Sequence, residues 1–180
     1  MAAHDYHLIT HWRVRSSLEE VYGILINPRD YPRWWPEVFL RAQEVRHGDA
    51  VGASRTARFN VRGYLPYSLW FQAEVVEARF PFGFTTEVNG DFNGRGIWTF
   101  QKAGPWVFTT FDWRVRVTKP LIRLFSFLVK PLFASNHYWV MGRGEQRLQA
   151  LLRSGPRPAP AEPILRRRPH SLLPIAPSWN

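Results

Sequence analysis

Residues 91–117 read DFNGRGIWTFQKAGPWVFTTFDWRVRV, and their alternation decides the architecture. Phe92, Gly94, Gly96, Trp98 and Phe100 share one side of the first run, and Thr109, Phe111, Trp113, Val115 and Val117 share one side of the second. Arg95, Asp112, Arg114 and Arg116 take the opposite sides. A period of two marks an extended strand, whose successive side chains point to opposite faces. Ala103-Gly104-Pro105 supplies the turn, so the two runs pair antiparallel, with an aromatic face inward and a charged face outward. Gly94 and Gly96 leave room on the inner face, for a sharp bend in the sheet or for a ligand.

Upstream of this pair the signals are again strands, at about 38–47, 52–62, 66–80 and 83–90. Turn residues separate them at His47-Gly48-Asp49, Gly63, Pro81-Phe82-Gly83 and Asn89-Gly90-Asp91. Links this short between consecutive strands predict an antiparallel meander. The chain opens with another alternating run, Tyr6 to Arg15, with Leu8, Thr10, Trp12 and Val14 on one side. Ser16 or Ser17 then caps a helix reaching about Ile26, because Glu19 and Glu20 suit its positive N-terminal end. Asn27-Pro28 stops it, and PRDYPRWWP (28–36) predicts a second short helical turn with Trp34 and Trp35 plugging the base of the sheet.

Downstream, residues 120–152 are helical in character, but the apolar face changes side along them. In the first part Lys119, Arg123, Ser126 and Lys130 form a narrow polar stripe in an otherwise apolar circumference. In the second part His137, Val140, Met141, Gly144, Leu148, Leu151 and Leu152 form the apolar stripe. Pro131 lies near the change and predicts a break or kink there. Beyond Ser154 the sequence is rich in Pro and Arg, which predicts one folded domain over 1–153 and a disordered tail over 154–180.

The 180 residues include 13 Phe and 9 Trp, enough rigid rings to fill a core and line a pocket. With no cysteine, disulfides, thiolate metal sites and a Cys nucleophile are excluded, and a cytoplasmic address is expected. Residues 1–6 have no apolar core of a signal peptide, and no apolar run approaches the roughly 18 residues of a membrane span. The net charge is +10, and from Arg153 onward five Arg stand against one Glu. Such a balance permits association with anionic lipid surfaces or nucleic acid, although nucleic acid is not expected as a partner. There is no P-loop, dinucleotide glycine fingerprint, GxSxG elbow or HExxH.

Four segments carry a resemblance: HWRVRSSLEEVYGILINPRDYPRWWPEVF, GDFNGRGIWTF, DWRVRVTKPL and FASNHYWVMGRGEQRL. Together they resemble the polyketide cyclase/dehydrase-type branch of the SRPBCC superfamily, which also holds START lipid-transfer domains and the birch-pollen allergen. The resemblance spans about residues 6–152. It implies an α+β helix-grip fold, in which a curved antiparallel sheet of about seven strands surrounds a long C-terminal helix and a cavity. It implies a hydrophobic ligand, such as a lipid, polyketide or aromatic metabolite, with cyclisation or dehydration in a minority of members and no shared catalytic set.

Strand parity and the inward face of the fold make Phe59, Phe92, Trp98, Phe111 and Trp113 the candidate ligand-binding residues, with His137 and Met141 from the helix. His137 is the one catalytic candidate, an acid, base or carbonyl-orienting group, weighed against a core histidine satisfied by a buried partner. Asn136 fits a structural role beside Pro131, and Tyr64 and Tyr67, flanking Pro66, fit either a cavity mouth or an exposed turn. Asp91 follows a turn glycine and Asp112 points outward, so neither suits acid–base work. His4, His7 and His11 lack acidic partners at metal-ligand spacing, so no metal and no cofactor is expected. The apolar arc and basic stripe of residues 120–133 also fit a helix lying on a membrane surface, gating ligand exchange. Two further readings compete with a non-catalytic binder: a cyclase or dehydratase, and surface association through basic patches.

Overall fold

The computed structural model describes residues 5–118 and 126–155, and in the last stretch the side chains from Pro131 onward. Seven strands form one antiparallel sheet: β1 (Asp5–Arg15), β2 (Phe39–Arg46), β3 (Thr56–Arg62), β4 (Ser68–Arg79), β5 (Gly83–Gly90), β6 (Phe92–Ala103) and β7 (Trp106–Val117). Their order is β1-β7-β6-β5-β4-β3-β2, so β2 to β7 form a meander and β1 joins its last strand. Between β1 and β2 lie α1 (Leu18–Ile26), a 3-10 turn (Pro28–Asp30) and α2 (Tyr31–Trp34), and after β7 comes the long helix α3 (Ser126–Ser154). This is the α+β helix-grip architecture.

Local chemistry sets these boundaries. The Ser17 hydroxyl accepts from the Glu20 amide at 3.1 Å and caps α1, and Asn27, extended at φ −96°, ends it. Two strands start later than their sequence suggests. Residues 48–55 form a loop folded on Asp49, whose carboxylate accepts from the amides of Val51 and Ala53 at 3.0 and 2.8 Å. Within it Gly52 and Ser54 take left-handed φ values of 91° and 64°, which no ladder accommodates, so β3 begins at Thr56 rather than at 52. Pro66 holds the next strand off until Ser68.

The register of β6 and β7 pairs Gly96 with Trp113 and Trp98 with Phe111. The space above Gly96 is not open: a Cβ there would lie 2.9 Å from the Trp113 ring and 3.0 Å from the Phe111 ring. The glycine makes room for its neighbours' rings rather than for a ligand. The core runs along the concave face from Trp12, Val14, Tyr22, Trp35, Phe84, Trp98, Phe100 and Leu148 at one end to Tyr6, Leu69, Phe92, Trp113 and Phe133 at the other.

Of the break or kink expected at Pro131, the break does not occur: helix α3 stays helical through it. Phe133 is buried against Tyr6 and Phe92 and begins the inward stripe that continues through His137, Met141, Gly144 and Leu148 at three- and four-residue steps. Residues 119–125, the side chains of 126–130 and the tail from 156 lie outside the described residues, and with them most of the expected membrane-surface segment; of 131–133, Leu132 is exposed and Phe133 is core. The helix also covers the free edge of the sheet. Glu145 accepts from the Arg13 amide at 2.9 Å, and the Gln149 amide donates to the Arg13 carbonyl at 3.2 Å. Both backbone groups face away from β7, so α3 occupies the edge that another strand would otherwise extend.

Candidate functional site

A cavity of about 190 Å³ lies between the concave face of the sheet, α1, α2 and α3. Strand alternation builds its wall: Phe59 and Val61 from β3, Leu69, Phe71 and Ala73 from β4, Val88 from β5, Phe92 and Trp98 from β6, and Phe111 and Trp113 from β7. Trp98 and Phe111 stack at 4.4 Å, Phe111 and Trp113 at 5.3 Å, and Phe92 meets Phe71 edge-on at 5.5 Å. Such ring pairs add to the burial of their surface and fix one another's orientation, so the wall is stiff. Trp35 closes the α1/α2 end, where a Cβ on Gly144 would run into its indole and come within 2.8 Å of that of Trp12.

All seven residues singled out from the sequence line this one cavity: Phe59, Phe92, Trp98, Phe111, Trp113, His137 and Met141. The sequence reading passed over the β4 face, although Leu69, Phe71, Ala73 and Val75 alternate as plainly as the residues of β6. It also passed over Arg55, whose guanidinium donates to the Ile26 carbonyl at 2.9 Å and lies 3.1 Å from Glu44. No local pattern marks that arginine, because the loop carrying it is irregular.

The polar groups of the lining are few and mostly engaged. Among the described residues no carboxylate lines the cavity. The Tyr31 hydroxyl donates to the Leu25 carbonyl at 2.6 Å, and Thr86 donates to the Gly96 carbonyl at 3.2 Å. Asn136 accepts from the amides of Tyr64 and Leu65 at 3.0 and 3.4 Å, pinning the β3–β4 loop onto α3. A Cβ on Gly63 would collide with that amide, so the glycine admits the clasp. His137 bonds through Nε2 to the Thr10 hydroxyl at 3.1 Å and lies nearly parallel to the Phe111 ring. Burial lowers its pKa to about 4, so the imidazole is neutral at neutral pH. Burial likewise pushes the Tyr67 hydroxyl up to about 12.

The carboxylate and strand-histidine candidates lie outside this cavity. Asp112 is paired on the outer face with Arg114 at 2.7 Å and His7 at 3.0 Å, and its pKa is lowered mainly by the Arg114 hydrogen bond. Asp91 accepts from the Trp70 amide at 2.9 Å in its turn. His11 bonds to Thr110 at 3.1 Å, and no cluster of metal-ligating side chains occurs among the described residues. Tyr64 is exposed and packs edge-on against Trp139, whereas Tyr67 faces inward.

Residues 14–136 match the family described as polyketide cyclase/dehydrase and lipid transport. The chain belongs to that family. Solved structures repeat its fold at low sequence identity. A START superfamily protein from Mycobacterium smegmatis is 18% identical with a TM-score of 0.65, over 80% of this chain and 94% of that one. A STAR-related lipid transfer protein from Xanthomonas axonopodis is 12% identical with a TM-score of 0.54, over 79% and 85%. The di-domain ARO/CYC StfQ of the steffimycin biosynthetic pathway is 8% identical with a TM-score of 0.61, over 82% of this chain and 52% of that one. No curated protein matches the chain in sequence. At these identities the family's solved members share the fold with this chain, and the ligand is a separate question.

Proposed function

We propose that the chain binds a hydrophobic small molecule in this cavity and does no chemistry on it. One observation carries the reading: the cavity is walled by stacked rings and aliphatic side chains and lacks a carboxylate among the described residues. Acid–base catalysis needs groups poised to exchange protons near the working pH. His137 is held neutral and bonded to a threonine, and the nearest alternative, Tyr67, is held protonated. The family description, which includes lipid transport, agrees with a carrier. The seven sequence candidates are then ligand contacts, with Phe59, Phe92, Trp98, Phe111 and Trp113 as the ring wall and His137 and Met141 as the helix side. An engineered apolar cavity of about 150 Å³ holds benzene, so this one suits a ligand portion of one or two fused rings, or a short branched chain.

Organic extracts of natively purified protein, analysed by mass spectrometry, test this. Ala73→Trp fills the cavity from β4 without removing any of the wall's rings. A ring or acyl compound retained in stoichiometric amount by the parent and lost by the folded variant is the expected result. Equal extracts from both remove the reading. The competing cyclase or dehydratase reading draws on His137 facing the cavity, and it requires that His137→Ala abolish turnover of a polyketide-like substrate without unfolding the protein.

A further inference from the structure

The cavity wall is not uniform: besides the unpartnered indole N–H of Trp35 at the α1/α2 end, it carries polar groups near α3 that bear on which molecule fits. Tyr67 lines the cavity, and its hydroxyl is buried without a hydrogen-bond partner among the described residues. His137 has one ring nitrogen on Thr10, and its Nδ1 has no partner among the described residues. The two residues belong to one end of the site. Asn136, the neighbour of His137, clasps the amides of Tyr64 and Leu65, and the Tyr67 amide donates to the Leu65 carbonyl at 2.8 Å. The Tyr64 hydroxyl reaches the Leu132 carbonyl at 3.5 Å, which sets the Tyr64–Tyr67 loop beside the same turn of α3.

We propose that Tyr67 and His137 select an apolar ring compound carrying one uncharged hydroxyl at the α3 end of the cavity. A phenolic oxygen gives and accepts hydrogen bonds alike, and so does a hydroxyl ligand, whereas imidazole Nδ1 does one or the other according to its tautomer. A hydroxyl meets either tautomer. A hydrocarbon leaves the Tyr67 hydroxyl unpaired, and a carboxylate brings a charge to a site whose two polar groups are both neutral, at a desolvation cost that neither offsets. The cations of the lining do not serve this end. Arg55 precedes β3, on the far side of that strand from the Tyr67 loop, and is engaged with Glu44 and Ile26. Arg62, at the near end, is exposed and has the strand parity of Arg58, whose side chain meets Gln72 on the outer face.

The inference rests on the cavity being a ligand site, and the test separates the two. Equilibrium dialysis at neutral pH compares naphthalene, 2-naphthol and 2-naphthoate on the full-length protein and on Tyr67→Phe and His137→Gln. The expected order is naphthol tightest, by roughly three- to tenfold over naphthalene for the gain of a hydrogen bond, with naphthoate weakest. In Tyr67→Phe the naphthol preference disappears, and an unchanged far-ultraviolet circular dichroism spectrum and melting temperature show that the variant is folded. In His137→Gln, which keeps a polar group near Thr10, the preference narrows. If none of the three binds, the cavity reading itself fails and takes this inference with it. If naphthalene binds as well as naphthol, or naphthoate binds best, or Tyr67→Phe keeps the preference, the cavity reading stands and the hydroxyl selectivity is wrong.

Discussion

At the scale of single residues, the burial of His137 leaves a thermodynamic signature. Its folded pKa of about 4 lies below the ordinary value of 6.5, so the fold refuses a proton that the unfolded chain accepts. Above about pH 6.5 neither state binds it and stability is unaffected. As pH falls from there towards 4, only the unfolded state is protonated, and stability falls by up to about 3 kcal/mol. Below the folded value both states bind the proton and the contribution levels off. The ring is held by the Thr10 hydroxyl and packs near the rings of Phe111 and Tyr138. Urea unfolding of the parent and His137→Gln at pH 7 and pH 4.5 should therefore show a parent that loses most of this stability and a variant that keeps it. Parallel losses in the two would place the imidazole in contact with water. The sequence showed that His137 belongs to the inward stripe, because position on a helix is periodic. It could not show the Thr10 contact or the Asn136 clasp, which join α3 to elements far away in the chain.

At the scale of elements, legibility followed periodicity. The β6–β7 hairpin was readable side chain by side chain, since alternation, turn and glycine placement all agree. The loop before β3 was not, because its course is set by Asp49 accepting two amides and by left-handed residues, features that leave no repeating pattern. At Pro131 the rule describes cost rather than outcome: a proline removes one helix hydrogen bond, yet the helix continues through it, and beyond it the inward packing of Phe133, His137 and Met141 seats the helix on the sheet. The same helix offers a paired test of how tightly it is seated. Gly144 lies against the indoles of Trp35 and Trp12, two rigid groups already packed together at 5.7 Å, so Gly144→Ala forces them apart and should destabilise by about 1–3 kcal/mol despite the better helix propensity. Gly142 has nothing within 4 Å of its would-be Cβ, and Gly142→Ala should stabilise by about 1 kcal/mol. Denaturant midpoints moving in opposite directions establish the close seat, and two stabilised variants would mean that α3 rides above the tryptophans.

At the scale of the whole molecule, the question is where the folded unit ends. Among the described residues the core closes without anything beyond Leu152: the apolar clusters run from Tyr6 to Leu152, α3 covers the β1 edge through Glu145 and Gln149, and Arg147 pairs with Glu37 to tie the helix to the segment before β2. The last helical residue, Ser154, turns its hydroxyl back onto the Ala150 carbonyl at 3.0 Å. We therefore propose that residues 1–153 are the whole domain. Ending the chain after Ser154 removes four arginines and one glutamate and takes the net charge from +10 to +7. Because stability resides in the buried clusters and the proposed ligand site is the cavity, the shortened chain should melt within about 2 °C of the parent, less than a loss of 1 kcal/mol would shift it. It should also bind 2-naphthol equally well. Binding to anionic vesicles behaves differently if the tail contributes to it, since exposed charge acts at long range and is screened by salt. The full chain should then bind such vesicles more tightly than the shortened one at low salt, and the gap should close as salt is raised to several hundred millimolar. A shortened chain that melts early or loses naphthol would move the domain boundary into the tail, whereas equal vesicle binding at every salt concentration would leave the charge of the tail without a membrane role.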